Sequence, residues 1–596
     1  MGSIFTSQGA ETNNDGQELT RQEKKFPVIA SIDFGTCFTG YTFKIRDNDD
    51  AKPSYANELE KKHELTCILF DADKKFDSYG RDALQKYIRL SPADRDNVYF
   101  YRNFKTSLTV EDKNLKLADT ASRHAIDPLC VFKGALDYLK KCVIKRVNEV
   151  IANPGAGAPI IEGDVMWVIT FPTAWNDSYR AFMRKSATDA GMNVNNIRLV
   201  TEPEAASMYI RDMCIKTKGN KDIKPLEQGA KYFLVDLGAG TVDLCVHEIL
   251  EDGKLMELYP AAGAHFGGSN VNFQFEELLK ELFGNDCMQK LKRNKMFKYF
   301  NLLQEFEDKK QNFDPSAKDV VLSVDFVVQE FEEHSTESMN ERISSGKFHK
   351  KVKYEKDTGL VISGELMKDL FEKPLGNIIS FIEEKHAECS ANNLRVQMLL
   401  LTGGFSDSDY VRNNIKEAMK KRNVEVVHFQ DAKCSVMFGA LKMGSSPKSV
   451  IKRRSRYTYG FYKKIPFDEK IHPQELKCDH EGITQCDRVF HKLIEKGEVI
   501  SHGQLFSRES KTVYKKEKHN KRLTSLWKSD KTDPKYCTKE EQCSVVATIE
   551  IPPPRGGWPS LLHHEQQLIV LENEFQLKFV NKITEQEHVM LVHYEY

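Results

Sequence analysis

The sequence predicts an α/β protein with two lobes and a cleft between them, followed by a smaller β-rich C-terminal domain. Two loops of the same plan, Ile32 to Thr36 and Val235 to Asp243, each join two apolar, strand-like runs. Strand-like and helix-like stretches alternate on both sides of the second loop, which indicates two lobes. Four stretches between residues 544 and 594 alternate apolar and polar residues and are rich in β-branched side chains, which indicates the β-rich domain.

Each of the two loops is typical of a β-hairpin whose tip carries glycine and threonine. A tip without bulky side chains turns its backbone N–H groups toward an anion, and Asp33 or Asp236 beside it can hold a hydrated divalent cation. One such loop alone is typical of an ordinary turn. Because the pair recurs in the same strand context, we expect the two tips to face each other and grip a nucleoside triphosphate with its Mg²⁺.

The elements between the loops follow from the local sequence. Val165 to Phe171 is a short apolar run suited to a buried strand. Asn176 to Ser178 supplies N-cap residues for a helix that ends near Gly191. Pro203 opens the next helix, since proline at a first helical position loses no needed N–H.

A chain of 596 residues is too long for a single hydrophobic core. We expect a disordered polar tail over residues 1–25 and the α/β region over residues 26–445. A run of lysine and arginine over residues 446–456 predicts a solvated basic linker. Residues 457–596 then form the β-rich domain, which we expect to bind a substrate or partner.

Composition narrows the class of protein. Acidic and basic residues balance at 87 each, so there is no electrostatic case for binding nucleic acid. No run of 18 apolar residues is present, which predicts no membrane span, and the thirteen cysteines are scattered, which favours a reduced, cytoplasmic protein. Met1 to Thr6 formally fits an N-myristoylation signal.

Longer stretches carry a resemblance to a known family. The stretch from Val168-Ile169-Thr170-Phe171-Pro172 to Thr201-Glu202-Pro203-Glu204-Ala205-Ala206 resembles the nucleotide-binding domain of the seventy-kilodalton heat-shock proteins. Leu400 to Ser408 is similar to the adenosine-contacting segment of that fold, and Gly263 to Ser269 to a phosphate-side loop. The tail from Arg454 to Glu469 is similar to the divergent member-12 branch. The resemblance implies two actin-like (ribonuclease-H-like) lobes around a nucleotide cleft over residues 26–445.

The resemblance also implies roles for individual residues. The implied catalytic residues are Lys105, Glu202, Asp236 and Thr241. Mg²⁺ would be held through water by Asp33 and Asp236. The implied nucleotide-binding residues are Gly35, Thr36, Cys37, Gly238, Ala239, Gly240, Gly267, Gly268, Ser269, Glu307, Lys310, Gly403, Gly404, Phe405 and Ser406. Two positions depart from the family: its arginine after Lys310 is Gln311 here, which weakens stacking on adenine, and the middle glycine of the second loop is Ala239.

These features together predict an ATP- or ADP-binding, slowly ATP-hydrolysing, chaperone-like protein that uses Mg²⁺. Its nucleotide state would control lobe closure. Unfolded client proteins or signalling proteins are the expected partners. Two alternatives stay open: a nucleotide-dependent scaffold without useful turnover, and a small-molecule kinase, since sugar kinases share this fold.

Overall fold

A computed structural model describes residues 26–45, 63–106, 117–118, 125–151, 158–175, 177–216, 226–251, 253–316, 319–429, 434–445, 450–480, 482–514, 518–571 and 574–593. The chain divides into a larger unit, residues 26–249 and 261–447, and a smaller unit that contains residues 250–260 and 448–596. The N-terminal tail and its myristoylation signal lie outside the described residues.

Strands occur throughout the described chain. Up to residue 428 they are β1 (Val28–Phe34), β2 (Phe38–Ile45), β3 (His63–Leu65), β4 (Cys67–Phe70), β5 (Phe76–Tyr79), β6 (Tyr99–Arg102), β7 (Leu117–Ala118), β8 (Ala125–Ile126), β9 (Val165–Phe171), β10 (Ile197–Thr201), β11 (Lys231–Leu237), β12 (Val242–Ile249), β13 (Leu255–Ala264), β14 (Asp319–Leu322), β15 (Val352–Glu355), β16 (Gly359–Ser363), β17 (Met398–Thr402) and β18 (Glu425–His428). After residue 449 they are β19 (Val450–Arg454), β20 (Thr458–Pro466), β21 (Lys477–His480), β22 (Ile483–Ile494), β23 (Val499–Ser501), β24 (Leu505–Val513), β25 (Arg522–Ser529), β26 (Cys543–Ile551), β27 (Leu561–Val570), β28 (Glu574–Asn581) and β29 (Glu587–His593).

The α-helices described all lie in the larger unit. They are α1 (Gly80–Arg89), α2 (Pro92–Arg95), α3 (Pro128–Ile151), α4 (Asp177–Asp189), α5 (Glu202–Lys216), α6 (Gly268–Phe283), α7 (Asn285–Asn294), α8 (Met296–Gln311), α9 (Asp325–Glu332), α10 (Met339–Ser345), α11 (Gly364–Ala391), α12 (Asp409–Lys420) and α13 (Ser435–Ser445). Short 3-10 turns include Gly404–Asp407, which follows β17.

The larger unit contains the same strand arrangement twice. In one sheet the order is β10-β9-β1-β2-β3, with β1 antiparallel to β2 and parallel to β9, and β9 parallel to β10. In the other, strands of this unit follow the order β18-β17-β11-β12, with β11 antiparallel to β12 and parallel to β17, and β17 parallel to β18. The two predicted hairpins, β1–β2 and β11–β12, are therefore confirmed, and their tips occupy equivalent places in the two sheets.

The central strands of these sheets are continuous apolar runs, and helices pack against them, α13 on β1 and β9 and α5 on β11. β1 is buried along almost its whole length, and so is β9, as the sequence predicts for Val165 to Phe171. Aromatic side chains dominate the core beneath the first sheet, where Phe34, Phe132 and Trp167 are inaccessible to solvent. The helix predicted after the capping residues is α4, and Gly191 beyond it has φ +83°, which suits a glycine at a helix C-terminus.

The smaller unit contains two antiparallel sheets, ordered β21-β22-β20-β25-β26 and β24-β27-β28-β29. A single hydrophobic core joins side chains from both sheets, including Phe461, Leu526, Leu568 and Phe579, so the two sheets form a β-sandwich. The four strands expected near the C-terminus are confirmed as β26 to β29. The sequence did not reveal β20, β22, β24 and β25, because basic residues occupy inward positions on them and hide the alternation.

The interpretation of residues 446–456 as a solvated linker is wrong for the part that the structure describes. Residues Val450–Arg454 form β19, which pairs in parallel with β13 and antiparallel with β23. Arg453 is buried and its guanidinium lies 2.9 Å from Glu257 on β13. The carboxylate of Glu257, which is distant in the sequence, thus pairs with Arg453 and lets this basic segment lie buried as a paired strand. The domain boundary itself stays a prediction.

None of the described helices combines the length and the apolar character needed to cross a bilayer.

The packing of α13 on α5 depends on a glycine. A Cβ atom added to Gly439 would lie 1.6 Å from the carbonyl oxygen of Ala205, so the two helices touch backbone to backbone. We expect Gly439→Ala to destabilise the protein by about 1–3 kcal/mol or more, because the helices must move apart. The measurement is the thermal unfolding midpoint.

Gly376→Ala is the matched control, since Gly376 lies inside α11 and an added Cβ there meets no atom within 4 Å. This change should leave stability unaltered or raise it by about 0.5–1 kcal/mol, the helix penalty of glycine. Equal midpoints for the two variants would contradict the backbone contact.

Candidate functional site

The two hairpin tips meet. A Cβ atom added to Gly240 in the second tip would lie 2.7 Å from the hydroxyl oxygen of Thr36 in the first. The Cys37 thiol of the first tip lies 3.8 Å from the Ser269 hydroxyl at the start of α6. The first tip therefore contacts both the second tip and α6, as expected for two loops that share one ligand.

The second tip packs directly on the start of α6. The backbone N–H of Gly268 donates to the carbonyl oxygen of Gly238 over 3.2 Å, and that of Ser269 donates to Ala239 over 2.8 Å. A Cβ atom on Gly267 would lie 2.4 Å from the Ala239 oxygen, so only glycine fits there. Ala239 itself does not adopt a positive φ, so its methyl group replaces the family's glycine without backbone strain.

Buried carboxylates gather behind the tips. Glu202 at the start of α5, Asp236 near the end of β11 and Asp243 on β12 are all buried. The Lys105 ammonium lies 2.5 Å from Glu202 and 5.6 Å from the centre of the Trp175 ring. Because Lys105 itself is only 3 % exposed, this ion pair is shielded from water and is much stronger than a surface pair.

Burial and mutual repulsion shift the proton affinity of these acids. Burial raises the pKa of Asp236 well above its ordinary value, and the neighbouring carboxylates of Glu202, Asp243 and Asp33 raise it further. Burial also raises the pKa of Glu202, which the charge of Lys105 opposes. Four acids thus share one lysine, and the surplus negative charge calls for a cation.

Asp243 is a site residue that sequence reasoning missed. Its Oδ1 accepts hydrogen bonds from the Thr173 backbone N–H over 2.7 Å and from the Thr173 hydroxyl over 2.5 Å. Its Oδ2 is buried without a hydrogen-bond partner among the described residues. Burial raises the pKa of Asp243, and the bonds from Thr173 oppose the shift. The sequence did carry one indication of this role, because Asp243 is a charged residue inside the apolar run that follows Thr241.

The acids suit a hydrated Mg²⁺ better than a directly bound metal. Within the described ranges, no three His, Cys, Asp or Glu side chains converge closely enough to bind a metal ion themselves. Asp33 lies in β1, where its Oδ1 accepts from the Thr170 hydroxyl over 3.0 Å, and Asp236 lies at the matching place in β11. Carboxylate oxygens are ligands that suit Mg²⁺, which dehydrates reluctantly and keeps several waters.

A second group of side chains lies beside the start of α6. The Lys310 ammonium donates to the Gly268 carbonyl oxygen over 3.1 Å, to Asn272 over 2.9 Å and to Glu307 over 2.7 Å. It also lies 5.7 Å from the centre of the Phe405 ring. Lys310 is therefore fixed by four neighbours, and Asn272 is a further member of this group that the sequence did not reveal.

Gly403 connects this group to the carboxylates. Its φ is +86°, and a Cβ atom there would lie 2.3 Å from Oδ1 of Asp236. The Ser406 hydroxyl donates to the Gly403 carbonyl oxygen over 2.7 Å and closes the turn. By contrast, a Cβ atom on Gly404 would meet no protein atom within 4 Å. The turn thus approaches Asp236 closely at Gly403 and leaves space beside Gly404.

The structure brings the sequence-predicted residues to one place. The first tip, the second tip and the start of α6 supply the glycines, while Lys105 and Glu202 lie behind them with Asp236. The residues that the sequence missed are hydrogen-bonding or ring partners of these: Thr170, Thr173, Trp175, Asp243 and Asn272. Apart from Asp243, their roles depend on contacts between segments far apart in the chain, for which a single sequence carries no signal.

The raised pKa of Asp236 has a consequence for stability. When an acid has a higher pKa in the folded than in the unfolded protein, the folded state holds the proton more tightly. The loss of stability is absent at pH values below the pKa of this acid in the unfolded protein and complete above its pKa in the folded protein. The free energy of unfolding therefore falls as the pH rises between these two pKa values. We expect Asp236→Asn to raise the unfolding midpoint in the absence of nucleotide and divalent cations. The midpoint should rise by roughly 2–4 °C for each kcal/mol by which the free energy of unfolding increases. The gain should be larger at pH 8 than at pH 5.

Asp73→Asn is the control, because that aspartate is exposed and its ion pair with Lys75 is open to solvent. It should leave the midpoint unchanged at both pH values. A loss of stability in Asp236→Asn at pH 8 would contradict the repulsion among the carboxylates.

Known proteins resemble this chain over most of its length. Heat shock 70 kDa protein 12A of Homo sapiens is 28% identical over 83% of this chain and 81% of its own length. Heat shock 70 kDa protein 12B of Homo sapiens is 27% identical over 81% of this chain and 78% of its own length. Chaperone protein HscA of Buchnera aphidicola is 26% identical over 43% of this chain and 45% of its own length.

A family model described as a domain of unknown function (DUF8340) matches residues 227–428, which contain the second hairpin, α6 and the Gly403 turn. The similarity to the two 12-type proteins extends well beyond that segment. These matches confirm the predicted resemblance: the chain is similar over most of its length to the heat shock 70 kDa protein 12 branch of the heat-shock protein 70 family.

Proposed function

We propose that the larger unit binds ATP or ADP with Mg²⁺ and hydrolyses ATP slowly. The observation that carries the proposal is the meeting of two glycine-containing hairpin tips in front of buried carboxylates and one buried lysine. Small side chains at the tips leave backbone N–H groups free to approach phosphate oxygens. The relationship to the heat-shock protein 70 family supports the same ligand.

The repeated strand arrangement supports two actin-like lobes around the nucleotide. β1–β2 and β11–β12 belong to sheets of the same topology, and each presents its tip toward the other. A ligand that contacts both tips would favour the arrangement in which they approach each other, because it binds that arrangement more tightly. Nucleotide-dependent lobe closure follows from this geometry.

The adenosine would lie between Lys310 with Glu307 on one side and the Gly403 turn on the other. Phe405 and Lys310 already contact each other there, and the space beside Gly404 faces no protein atom. Gln311 cannot supply the guanidinium plane that stacks well on an aromatic base. The binding of adenosine would therefore depend on α6, α8 and the turn rather than on stacking with a cation.

Hydrolysis needs an oriented water and a way to offset the developing charge. Glu202 and Asp236 are the carboxylates placed to orient and accept a hydrogen bond from that water. Lys105, held against Glu202, would stabilise negative charge on the transferring phosphoryl oxygens, with Thr241 near them. Mg²⁺, when bound, would neutralise phosphate charge and the surplus charge of the carboxylates.

On this basis the protein is a chaperone-like ATPase of the heat-shock 70 type, with unfolded proteins or signalling proteins as partners of the smaller unit. A nucleotide-dependent scaffold, which would bind ATP without useful turnover, is the second candidate. Phosphate release from ATP with no added acceptor separates an ATPase from the scaffold and from a small-molecule kinase.

We expect Mg-ATP to raise the thermal unfolding midpoint, because a ligand at a hundredfold excess over its Kd adds about 2.7 kcal/mol. Gly404→Ala should leave the midpoint of the free protein unchanged, since the added methyl group meets no protein atom. The same variant should reduce the shift caused by Mg-ATP, because the methyl group occupies the space assigned to adenosine. If neither Mg-ATP nor Mg-ADP at millimolar concentration shifts the wild-type midpoint, nucleotide binding is excluded. If Mg-ATP shifts the midpoint of Gly404→Ala as much as that of the wild type, the adenosine does not bind beside Gly404.

We expect Glu202→Gln to slow single-turnover ATP hydrolysis by roughly 10²-fold or more, the usual loss when a positioned charge-handling group is removed. The ATP-induced shift of the unfolding midpoint should largely remain, because the phosphates and adenosine are held by other groups. Glu204→Gln is the control: Glu204 is also buried on α5, and its carboxylate accepts a hydrogen bond from the Thr201 hydroxyl. Equal turnover in the two variants would exclude a catalytic role for Glu202, and wild-type turnover at background would favour the scaffold.

A further inference from the structure

The β-sandwich of the smaller unit carries basic side chains on its inner faces. On three strands a basic residue lies two positions from an apolar side chain of the core: Lys463 from Phe461 on β20, Arg508 from Phe506 on β24, and His564 from Leu562 on β27. Arg522 lies two positions from the buried Thr524 on β25, and His491 is the cross-strand partner of Phe461. Because side chains alternate along a strand, all five point into the sandwich. We call them the basic cluster.

Arg522 is the most firmly held member of the basic cluster. Its guanidinium donates to the Thr512 hydroxyl over 3.1 Å and to the Tyr514 hydroxyl over 2.9 Å. It donates a third bond, over 2.7 Å, to Nε2 of His564, which is inaccessible to solvent. All three partners are uncharged acceptors, and the buried Nε atom of Arg522 has no partner in the part of the chain described.

No carboxylate in the described part of the chain balances the charges of the cluster. Among the described residues, the Arg508 side chain makes no hydrogen bond and no ion pair, and the Lys463 ammonium lies 3.3 Å from Nδ1 of His491. The acidic residues of the same strands point outward: Glu509 contacts His563 and Lys582 on the opposite face of its sheet. Three cationic side chains therefore share a partly buried space without a counter-ion.

The proton affinities of the cluster reflect this surplus of positive charge. Burial and the nearby charges of Arg508 and Lys463 lower the pKa of His491 to about 4. Burial and Arg522 lower the pKa of His564 to about 3, so both imidazoles are neutral at physiological pH. Burial, followed by the charge of Arg522, also lowers the pKa of Arg508. An anion placed among these groups would attract the positive charges and so oppose each of these decreases in pKa.

We propose that the basic cluster binds a phosphate group between the two sheets of the smaller unit. Arg508 and Arg522 would supply paired N–H donors, Lys463 a third charge, and His491 an additional donor at the open side. Lys463, His491 and Arg508 are half-buried, whereas His564 is fully buried, so the ligand enters past the first three and rests against the last. The site belongs to the smaller unit and does not depend on the proposed nucleotide site.

The chemistry favours phosphate over a carboxylate. A carboxylate carries one negative charge and two oxygens, which a single guanidinium can satisfy. Two guanidinium groups and an ammonium provide more charge and more donors than that. A phosphate dianion has several acceptor oxygens and close to two charges, which suits three cationic groups converging from different strands.

The test measures the affinity of the full-length protein for inorganic phosphate, for O-phosphoserine and for acetate, by calorimetric titration at constant ionic strength. Arg508→Gln is the main variant, because the Arg508 side chain makes no hydrogen bond to a described residue that the substitution would remove. Lys511→Gln removes the same charge from the same strand at an exposed, outward position. Both variants leave the larger unit untouched, so a difference between them cannot arise from phosphate binding there.

We expect Arg508→Gln to weaken phosphate binding at least about tenfold, the usual effect of losing a charged hydrogen-bond donor, and Lys511→Gln to leave it unchanged. Without phosphate, Arg508→Gln should unfold at the same temperature as the wild type or higher, since it removes an unbalanced charge. A second variant, Lys463→Gln, should also weaken binding. Stronger binding of O-phosphoserine than of free phosphate would show that the ligand is a phosphate monoester, and the reverse order would show free phosphate.

Three results would overturn the proposal: no phosphate binding by the wild type, equal binding by Arg508→Gln and Lys511→Gln, or binding of acetate as tight as that of phosphate. Unfolding of Arg508→Gln at a clearly lower temperature without phosphate would also count against it, because that result would show that the arginine stabilises the sandwich by itself.

Discussion

The ion pair between Lys105 and Glu202 is the interaction on which the larger unit is organised. Five elements of that unit direct a charged side chain to one buried region: β1, the segment after β6, the start of α5, β11 and β12. Unpaired buried charges are costly, so the single lysine makes it tolerable to place several acids together. The same arrangement leaves a surplus of negative charge. That surplus is a cost in the free protein and would become an advantage with the proposed Mg²⁺ in place.

Close backbone contact is the second constraint. Gly240, Gly267 and Gly403 stand where a Cβ atom would overlap a neighbouring loop or the Asp236 carboxylate, whereas Gly439 lets two helices touch. Such contacts allow loops from two sheets to converge within a few ångströms. Because these glycines pack against other segments, each limits where the adjoining loops can lie. The two hairpin tips are thus positioned by packing at least as much as by their own turn preferences.

The smaller unit uses charge differently. Its sandwich has an apolar core at one part of the interface between sheets and the basic cluster at another. Polar residues inside a sandwich weaken the hydrophobic contribution to folding, so their presence points to a role beyond packing. The buried pair of Arg453 and Glu257 in the same unit shows the opposite case, where a basic side chain has its carboxylate partner and serves to hold a strand.

The sequence by itself determined the resemblance to the heat-shock 70 proteins, the two hairpins with their aspartates, the strand β9 with the capped helix after it, and the four last strands. These features depend on local patterns, namely alternation, capping residues and glycine-rich turns, which a chain displays without any knowledge of its neighbours. Only the tertiary structure decided that Asp243 joins the carboxylates, that residues Val450–Arg454 form a paired strand, and that basic residues line the inside of the sandwich. In each case the residue contacts a partner that lies far away in the chain. The sequence shows only that the residue is charged, whereas its role depends on being buried beside that partner.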